Sequence, residues 1–222
     1  MGSVRELNQI IEHTLLRANA TAAEIEQLCV EAIVHRFHGV CVGPCHVARA
    51  HRVLTGSPVR VVSVASFPLG ASTPTQAACE AAQSVAQGAA EIDLVIPIGE
   101  AVAGSLEAVV HSVATVRTAV PTATLKVILE TGHFSPEQLE RLAAAVLDAG
   151  PEFLKTSTGF GPRGATVDDV ALLVRVVGDR AEVKAAGGIR TAAQASALHA
   201  AGATRLGTSS GVAIVGGKTA AT

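Results

Sequence analysis

Short apolar runs alternate along the chain with longer stretches whose apolar positions return every three or four residues. The short runs cover residues 13–16, 40–42, 59–65, 91–96, 125–130, 152–156, 182–185 and 205–207. Their length and Val, Ile and Leu content predict eight buried strands. The stretches between them predict helices over 22–37, 75–87, 106–120, 136–149, 167–177 and 192–201. Thr21, Ser135, Thr166 and Thr191 stand where N-cap residues belong, and Pro136 occupies a first helical position. The joints from helix to strand repeat as well. Each carries a glycine (Gly39, Gly88, Gly150, Gly202) where a helix end favours a left-handed residue.

One supersecondary unit reused in this way implies βα units around a parallel sheet. Eight strands in 222 residues, with no long linker, favour a single-domain (β/α)8 TIM barrel over an open doubly wound α/β sheet. The domain is expected to span 1–222, with a short N-terminal helix over 3–11 and a short tail over 216–222. A barrel of this type carries its active-site groups at the C-terminal ends of the strands. Phosphate binds most often at the loops after strands seven and eight.

Composition narrows the function classes. Hydrophobic residues make up 49% of the chain and charged residues 16%, with no Trp, no Tyr and five Phe, so the interior is built from small and β-branched side chains. A net charge of -2 argues against a nucleic-acid surface. No apolar stretch approaches the roughly 18 residues of a membrane span, and the start lacks the pattern of a signal peptide. A cytoplasmic protein with neither nucleic-acid nor membrane partners is expected. Cys41 and Cys45 form a CxxxC followed by His46, but no second ligand pair stands at matching spacing, so no metal site is expected. Cys29 and Cys79 lie in helical stretches and read as free thiols.

Lysine is scarce: Lys126, Lys155, Lys184 and Lys218 against thirteen arginines. Three of the four fall in predicted strands. Lys155 and Lys184 lie near the C-terminal ends of consecutive strands, each followed by a Gly-rich turn. Burial and a neighbouring ammonium both favour the neutral amine, and can bring a lysine from about 10.4 towards the neutral range. A neutral amine is what attack on a carbonyl requires. Asp93, in the apolar run EIDLVI, either balances the lysine charges or holds a water and passes protons; the two roles are compatible. Lys126 and Glu130 share a strand face and are expected to form an interior ion pair, which Glu12 joins.

A phosphate signal stands apart from the lysines. AAGGIRT follows strand seven, and GTSSGV follows strand eight and opens a short apolar helix. Glycines permit close backbone approach, and amides at a helix start point at an anion.

KTSTGFGPRGAT (155–166), VKAAGGIRT (183–191), RLGTSSGVAI (205–214), EIDLVIPIG (91–99), LKVILETG (125–132), FPLGAS (67–72) and EHTLL (12–16) together resemble the deoxyribose-phosphate aldolase family. The likeness runs from about residue 10 to about residue 215, with the motifs in order. It implies reversible cleavage of 2-deoxy-D-ribose 5-phosphate to acetaldehyde and D-glyceraldehyde 3-phosphate, without metal or organic cofactor. It implies Lys155 as the Schiff-base nucleophile, Lys184 as the neighbour that perturbs its pKa and donates a proton, and Asp93 as a proton relay with water. Thr158 and Gly159 would lie near the sugar, and Gly187, Gly188, Gly207, Ser209 and Ser210 around the phosphate. A homodimer or homotetramer is implied as well.

The sequence departs from the family pattern in places. Glu12 stands where the family usually has Asp, and Gly43 and Pro97 replace asparagines found in some branches. Many members carry a C-terminal tyrosine that assists proton transfer, and this sequence has no tyrosine. Either water with Asp93 carries that step, or the transfer is slower. Two other readings remain at this point. One is a related Schiff-base aldolase or transaldolase acting on another phosphosugar, and the other is a non-catalytic phosphosugar-binding barrel. Retention of Lys155, Lys184 and Asp93 argues against the second, since binding alone gains nothing from two facing lysines.

Overall fold

A computed structural model describes residues 4–216, with side chains from Leu7 onward. All of the expected tail over 216–222 except Gly216, Lys218 with it, and the first residue of the expected N-terminal helix lie outside the described residues. In chain order the elements are α1 (Val4–Ile10), β1 (Ile11–Leu15), α2 (Ala22–His35), β2 (Gly39–Val42), α3 (Val47–Leu54), β3 (Arg60–Ala65), α4 (Pro74–Ala86), β4 (Glu91–Val95) and α5 (Ile98–Ala103). Then follow α6 (Leu106–Ala119), β5 (Thr124–Ile128), α7 (Pro136–Val146), β6 (Phe153–Lys155), α8 (Val167–Val177), β7 (Glu182–Ala186), α9 (Ala192–Ala200), β8 (Arg205–Thr208) and α10 (Gly211–Val215). The eight strands pair in parallel in sequence order, and β8 closes on β1 to form a (β/α)8 barrel.

Strand alternation divides the buried residues into two sets. Ile92, Leu94, Leu125, Val127, Leu154, Val183, Ala185 and Leu206 belong to one continuous apolar cluster with the inner faces of the helices. Their neighbours in each strand point into the barrel, where the polar residues collect. Register then decides who meets whom. Lys155 pairs in register with Lys184, Asp93 with Lys126, and Glu12 with both Gly39 and Gly207. A barrel filled by side chains in layers has no pore, so these charged groups must satisfy one another.

The helix starts follow the sequence. Thr21, Ser135 and Thr191 close capping boxes, and Thr166 accepts the amide of Asp169. A fourth capping box, at Thr73 ahead of Pro74, was not anticipated. Neither were α3 and α5, which are too short for their periodicity to stand out. Gly88, Gly150 and Gly202 have the expected left-handed backbone, but Gly39 does not. Arg36 takes that conformation instead (φ 55), ending α2 early. Gly39 opens β2, where a Cβ would come within 2.7 Å of the Arg60 carbonyl oxygen. Strand β1 starts at Ile11, two residues earlier than expected. Strand β5 stops at Ile128, because Glu130 turns into the left-handed region (φ 55). Among the described residues no helix is long and apolar enough to cross a membrane.

Candidate active site

The C-terminal ends of β1, β6, β7 and β8 surround a cavity of about 440 Å³. Lys155 reaches it from β6 and is 3% exposed; Lys126 and Lys184 below it are fully buried. The Nζ atoms of Lys155 and Lys184 both donate to Oδ2 of Asp93, each at 2.6 Å. Lys126 donates to Oδ1 of the same carboxylate at 3.1 Å. Three lysines from three strands thus converge on one aspartate from a fourth.

A second tier lies towards the barrel floor. Lys184 also donates to Glu12, and Lys126 contacts Glu12 at 3.3 Å and Glu91 at 2.5 Å. Arg205 bridges Glu12 and Glu91 at 2.9 and 3.0 Å, and His38 closes the floor against Glu91 at 2.9 Å. Glu12 therefore joins the network as expected, its extra methylene reaching both lysines. The pairing of Lys126 with Glu130 does not form. Glu130 has left the strand, and its carboxylate accepts the Thr158 amide at 3.2 Å and the Thr158 hydroxyl. Lys126 is held by Asp93, Glu12 and Glu91 instead.

These contacts set the charge states. Burial raises the Asp93 carboxyl, but Lys126, Lys155 and Lys184 together hold it well below the usual carboxylate range. Glu12 is depressed against the same burial by Lys126 and Lys184. Burial raises Glu91 as well, but its hydrogen bond with His38 and the charges of Lys126 and Arg205 depress it. Burial would lower Lys126 and Lys184, yet their carboxylate partners outweigh it and raise both. This corrects the sequence argument, which counted burial and like charge but not the acids that register brings to Lys184. The charge count then singles out one amine. Glu12, Glu91 and Asp93 are already balanced by Lys126, Lys184 and Arg205. Among the described residues Lys155 has Asp93 as its one ionic partner, and it is the one lysine of the three that reaches the cavity.

The two Gly-rich loops form the opposite wall. Gly187 (φ 89) and Gly188 (φ 75) are consecutive left-handed residues, a conformation costly for any residue with a Cβ. The amides of Gly188 and Ser209 have no protein acceptor among the described residues, and both residues line the cavity. Thr208 joins the loops, its hydroxyl donating to the Ile189 carbonyl at 2.6 Å and accepting the Ser210 amide at 2.9 Å. That bond commits the Ser210 amide, and Ser210 does not line the cavity. Of the expected phosphate residues, Gly187, Gly188, Gly207 and Ser209 therefore come together and Ser210 stands behind them. Gly207 has a second task, since a Cβ there would lie 3.1 Å from Cε of Lys184. Thr158 and Gly159 line the cavity between Lys155 and these loops.

Sequence reasoning missed Arg190, which lines the cavity and has no side-chain hydrogen bond or ion pair among the described residues. Its place two residues beyond the glycine pair, in the same loop, was the available signal. Among the described residues two groups could gather around a metal ion: Glu12, Cys41 and Asp93, and Glu12, His38 and Glu91. Neither donor set suits one. The carboxylates already bind ammonium and guanidinium groups that a cation would have to displace, and burial pushes the Cys41 thiol up to about 12. Cys45, in contrast, is exposed.

With this geometry in place, comparison with known proteins decides the lineage. The model of the DeoC/LacD family aldolases matches residues 7–216. The chain belongs to the DeoC/LacD aldolase family. A deoxyribose-phosphate aldolase of Thermus thermophilus is 53% identical over 94% of this chain and 94% of its own length. One from Deinococcus radiodurans is 52% identical over 95% and 96%. Among solved structures of the family, the tetrameric deoxyribose phosphate aldolase of Aeropyrum pernix superposes with a TM-score of 0.91 at 31% identity, covering 97% of this chain and 92% of that one.

Proposed function

We propose that this family member is a class I deoxyribose-phosphate aldolase that reversibly cleaves 2-deoxy-D-ribose 5-phosphate to acetaldehyde and D-glyceraldehyde 3-phosphate. The observation that carries the assignment is the position of Lys155. It lines the cavity, faces two anion-suited loops, and shares its one carboxylate partner among the described residues with a second lysine that Glu12 also holds.

In this reading the Lys155 amine adds to C1 of the open-chain sugar and loses water to give a protonated imine. Loss of the proton from the C3 hydroxyl breaks the C2–C3 bond. The electron pair flows into the imine as an enamine, and D-glyceraldehyde 3-phosphate departs. Protonation at C2 and hydrolysis then release acetaldehyde and restore the amine. Lys184 serves as the fixed cation beside Lys155 and as a proton donor. Asp93 holds its own proton too weakly to store one, so its part is to orient a water that passes protons between Lys184 and the substrate. Gly187, Gly188, Gly207 and Ser209 receive the phosphate with Arg190, while Thr158 and Gly159 meet the carbon chain between.

The assembly is read as a homodimer or homotetramer, with exposed Val30, Ile33 and Val34 on α2 available for burial. The chain is read as one barrel domain in the cytoplasm, where its free cysteines stay reduced.

Trapping tests the assignment. Acetaldehyde with borohydride should leave a two-carbon adduct on Lys155, located by peptide mass spectrometry and absent from Lys155→Leu. An adduct on Lys184 alone would reverse the roles. No adduct at all would turn the protein into a phosphosugar-binding barrel.

A further inference from the structure

Glu130 has no part in the reaction above, yet it is buried against Thr158, a residue that lines the cavity, in a left-handed backbone conformation (φ 55). Such a conformation is strained for a residue with a Cβ and persists where surrounding contacts enforce it. The contacts here are specific. Oε2 of Glu130 accepts both the amide of Thr158, at 3.2 Å, and its hydroxyl. Oγ1 of Thr158 in turn accepts the amide of Phe160 at 3.0 Å. The loop closes over the carboxylate at Gly161, where a Cβ would come within 2.6 Å of the Glu130 Cδ.

An amide can only donate, so the direction of each bond follows. A threonine hydroxyl has one hydrogen and two lone pairs. The hydrogen is committed to Glu130 and one lone pair to Phe160. What Thr158 has left is a single lone pair. Thr158 lies three residues beyond Lys155 and directly before Gly159, whose Cα would be 3.4 Å from a Cβ placed on Gly187. It therefore sits between the carbonyl end and the phosphate end of a bound substrate.

We propose that Glu130 is a positioning residue that makes Thr158 a hydrogen-bond acceptor towards the cavity, so that the site selects an acceptor aldehyde carrying a hydroxyl donor between its carbonyl and its phosphate. This inference rests on the aldolase reading. A carbonyl or phosphate oxygen brings no hydrogen and meets a lone pair at Thr158. A hydroxyl completes the set.

The test compares addition of acetaldehyde to D-glyceraldehyde 3-phosphate and to 3-oxopropyl phosphate, the same aldehyde without its hydroxyl. Wild-type protein should favour the first in kcat/KM. In Glu130→Met no acceptor is left for the Thr158 hydroxyl, which is free to turn its hydrogen towards the cavity, and the preference should fall by about tenfold, the scale of one well-placed hydrogen bond. Thr158→Val should lose the preference to the same extent, and the double variant should lose no more than either alone. Equal loss on both aldehydes in Glu130→Met would mean that Glu130 only braces the loop, and would overturn the proposal. Should Glu130→Met fail to fold by circular dichroism, Thr158→Val still decides, because a preference retained there also overturns it. A wild-type protein that used neither aldehyde would overturn the aldolase reading and this inference together.

Discussion

Lys155 and Lys184 donate to one and the same atom, Oδ2 of Asp93, at 2.6 Å each. Their Cα atoms are register partners across β6 and β7, so the meeting is built into the sheet rather than into loop conformation. The two amines differ in everything else. Lys184 is fully buried and has Glu12 as a second carboxylate, whereas Lys155 opens on the cavity with Asp93 as its only ionic partner among the described residues. The same aspartate thus helps to keep one lysine as a cation and holds the other at the cavity.

That asymmetry predicts the behaviour of Lys184→Leu. Removing a fixed positive charge beside Lys155 makes protonation of the reacting amine easier, so the acid limb of kcat/KM should move to higher pH. The proposed proton donor is lost too, and the maximum rate should fall by about 10²-fold or more. A pH–rate profile settles it: a lower rate with an unmoved acid limb would leave Lys184 as a proton donor alone.

The carboxylates of the network predict a one-sided pH dependence of stability. Glu12, Glu91 and Asp93 are depressed below ordinary values of 4.5, 4.5 and 3.8. Their contribution is therefore complete above those values and is lost as pH falls through the still lower folded ones. Lys126 and Lys184 are raised above 10.5, so their contribution persists to that pH and is lost only beyond it. Thermal unfolding should show a Tm that is flat, for this network, from about pH 5 to about pH 10 and falls steeply below about pH 4.5. Glu91→Gln should lower the plateau by about 3 kcal/mol, since it strips charge from Lys126 and Arg205 in a dry interior, and should flatten the acid slope. An acid slope unchanged in Glu91→Gln would refute its place in the network.

The eight strands, all the helices but α3 and α5, and the two Gly-rich loops were legible in the sequence because each has a local cause. Capping residues, glycine joints and β-branched runs act on their own neighbourhood. Lys155, Lys184 and Asp93 were legible for a different reason: a charged residue inside an apolar run has to be explained. The partners were not legible. Glu130 follows Lys126 by four in a strand pattern, and only its turn to φ 55 separates them and gives it to Thr158. The charge state of Lys184 depends on Glu12, which is 172 positions away in the chain and reaches it through barrel closure. The committed amide of Ser210 likewise depends on where Thr208 points, which spacing does not encode.

Ser135 offers a control on stability away from the site. Its hydroxyl accepts the amide of Gln138, and the Gln138 side chain returns to the Ser135 amide at 2.9 Å. Ser135→Ala should cost about 1 kcal/mol, a Tm drop of about 2–4 °C for a chain of this size. KM and kcat for the phosphosugar should stay within error. A change in KM would show that α7 communicates with the cavity, which no contact described above requires.

The proposed phosphate recognition can be separated into charge and backbone. Arg190 supplies a guanidinium at the cavity wall with no protein partner among the described residues, while Gly188 supplies an amide in left-handed backbone (φ 75) with nothing within 4 Å of an added Cβ. Arg190→Ala removes one charge-assisted contact, so KM for 2-deoxy-D-ribose 5-phosphate should rise by about tenfold or more, and added salt should raise it less than in wild type. Gly188→Ala has room for the methyl group but not the backbone preference. It should raise the same KM by a comparable factor through strain of about 1–2 kcal/mol, with the wild-type salt response intact. For 2-deoxy-D-ribose, which lacks the phosphate, both variants should match wild type in kcat/KM. Steady-state kinetics on the two sugars at low and high salt makes the comparison. Equal losses on both sugars would place these residues in folding or catalysis rather than in holding the phosphate.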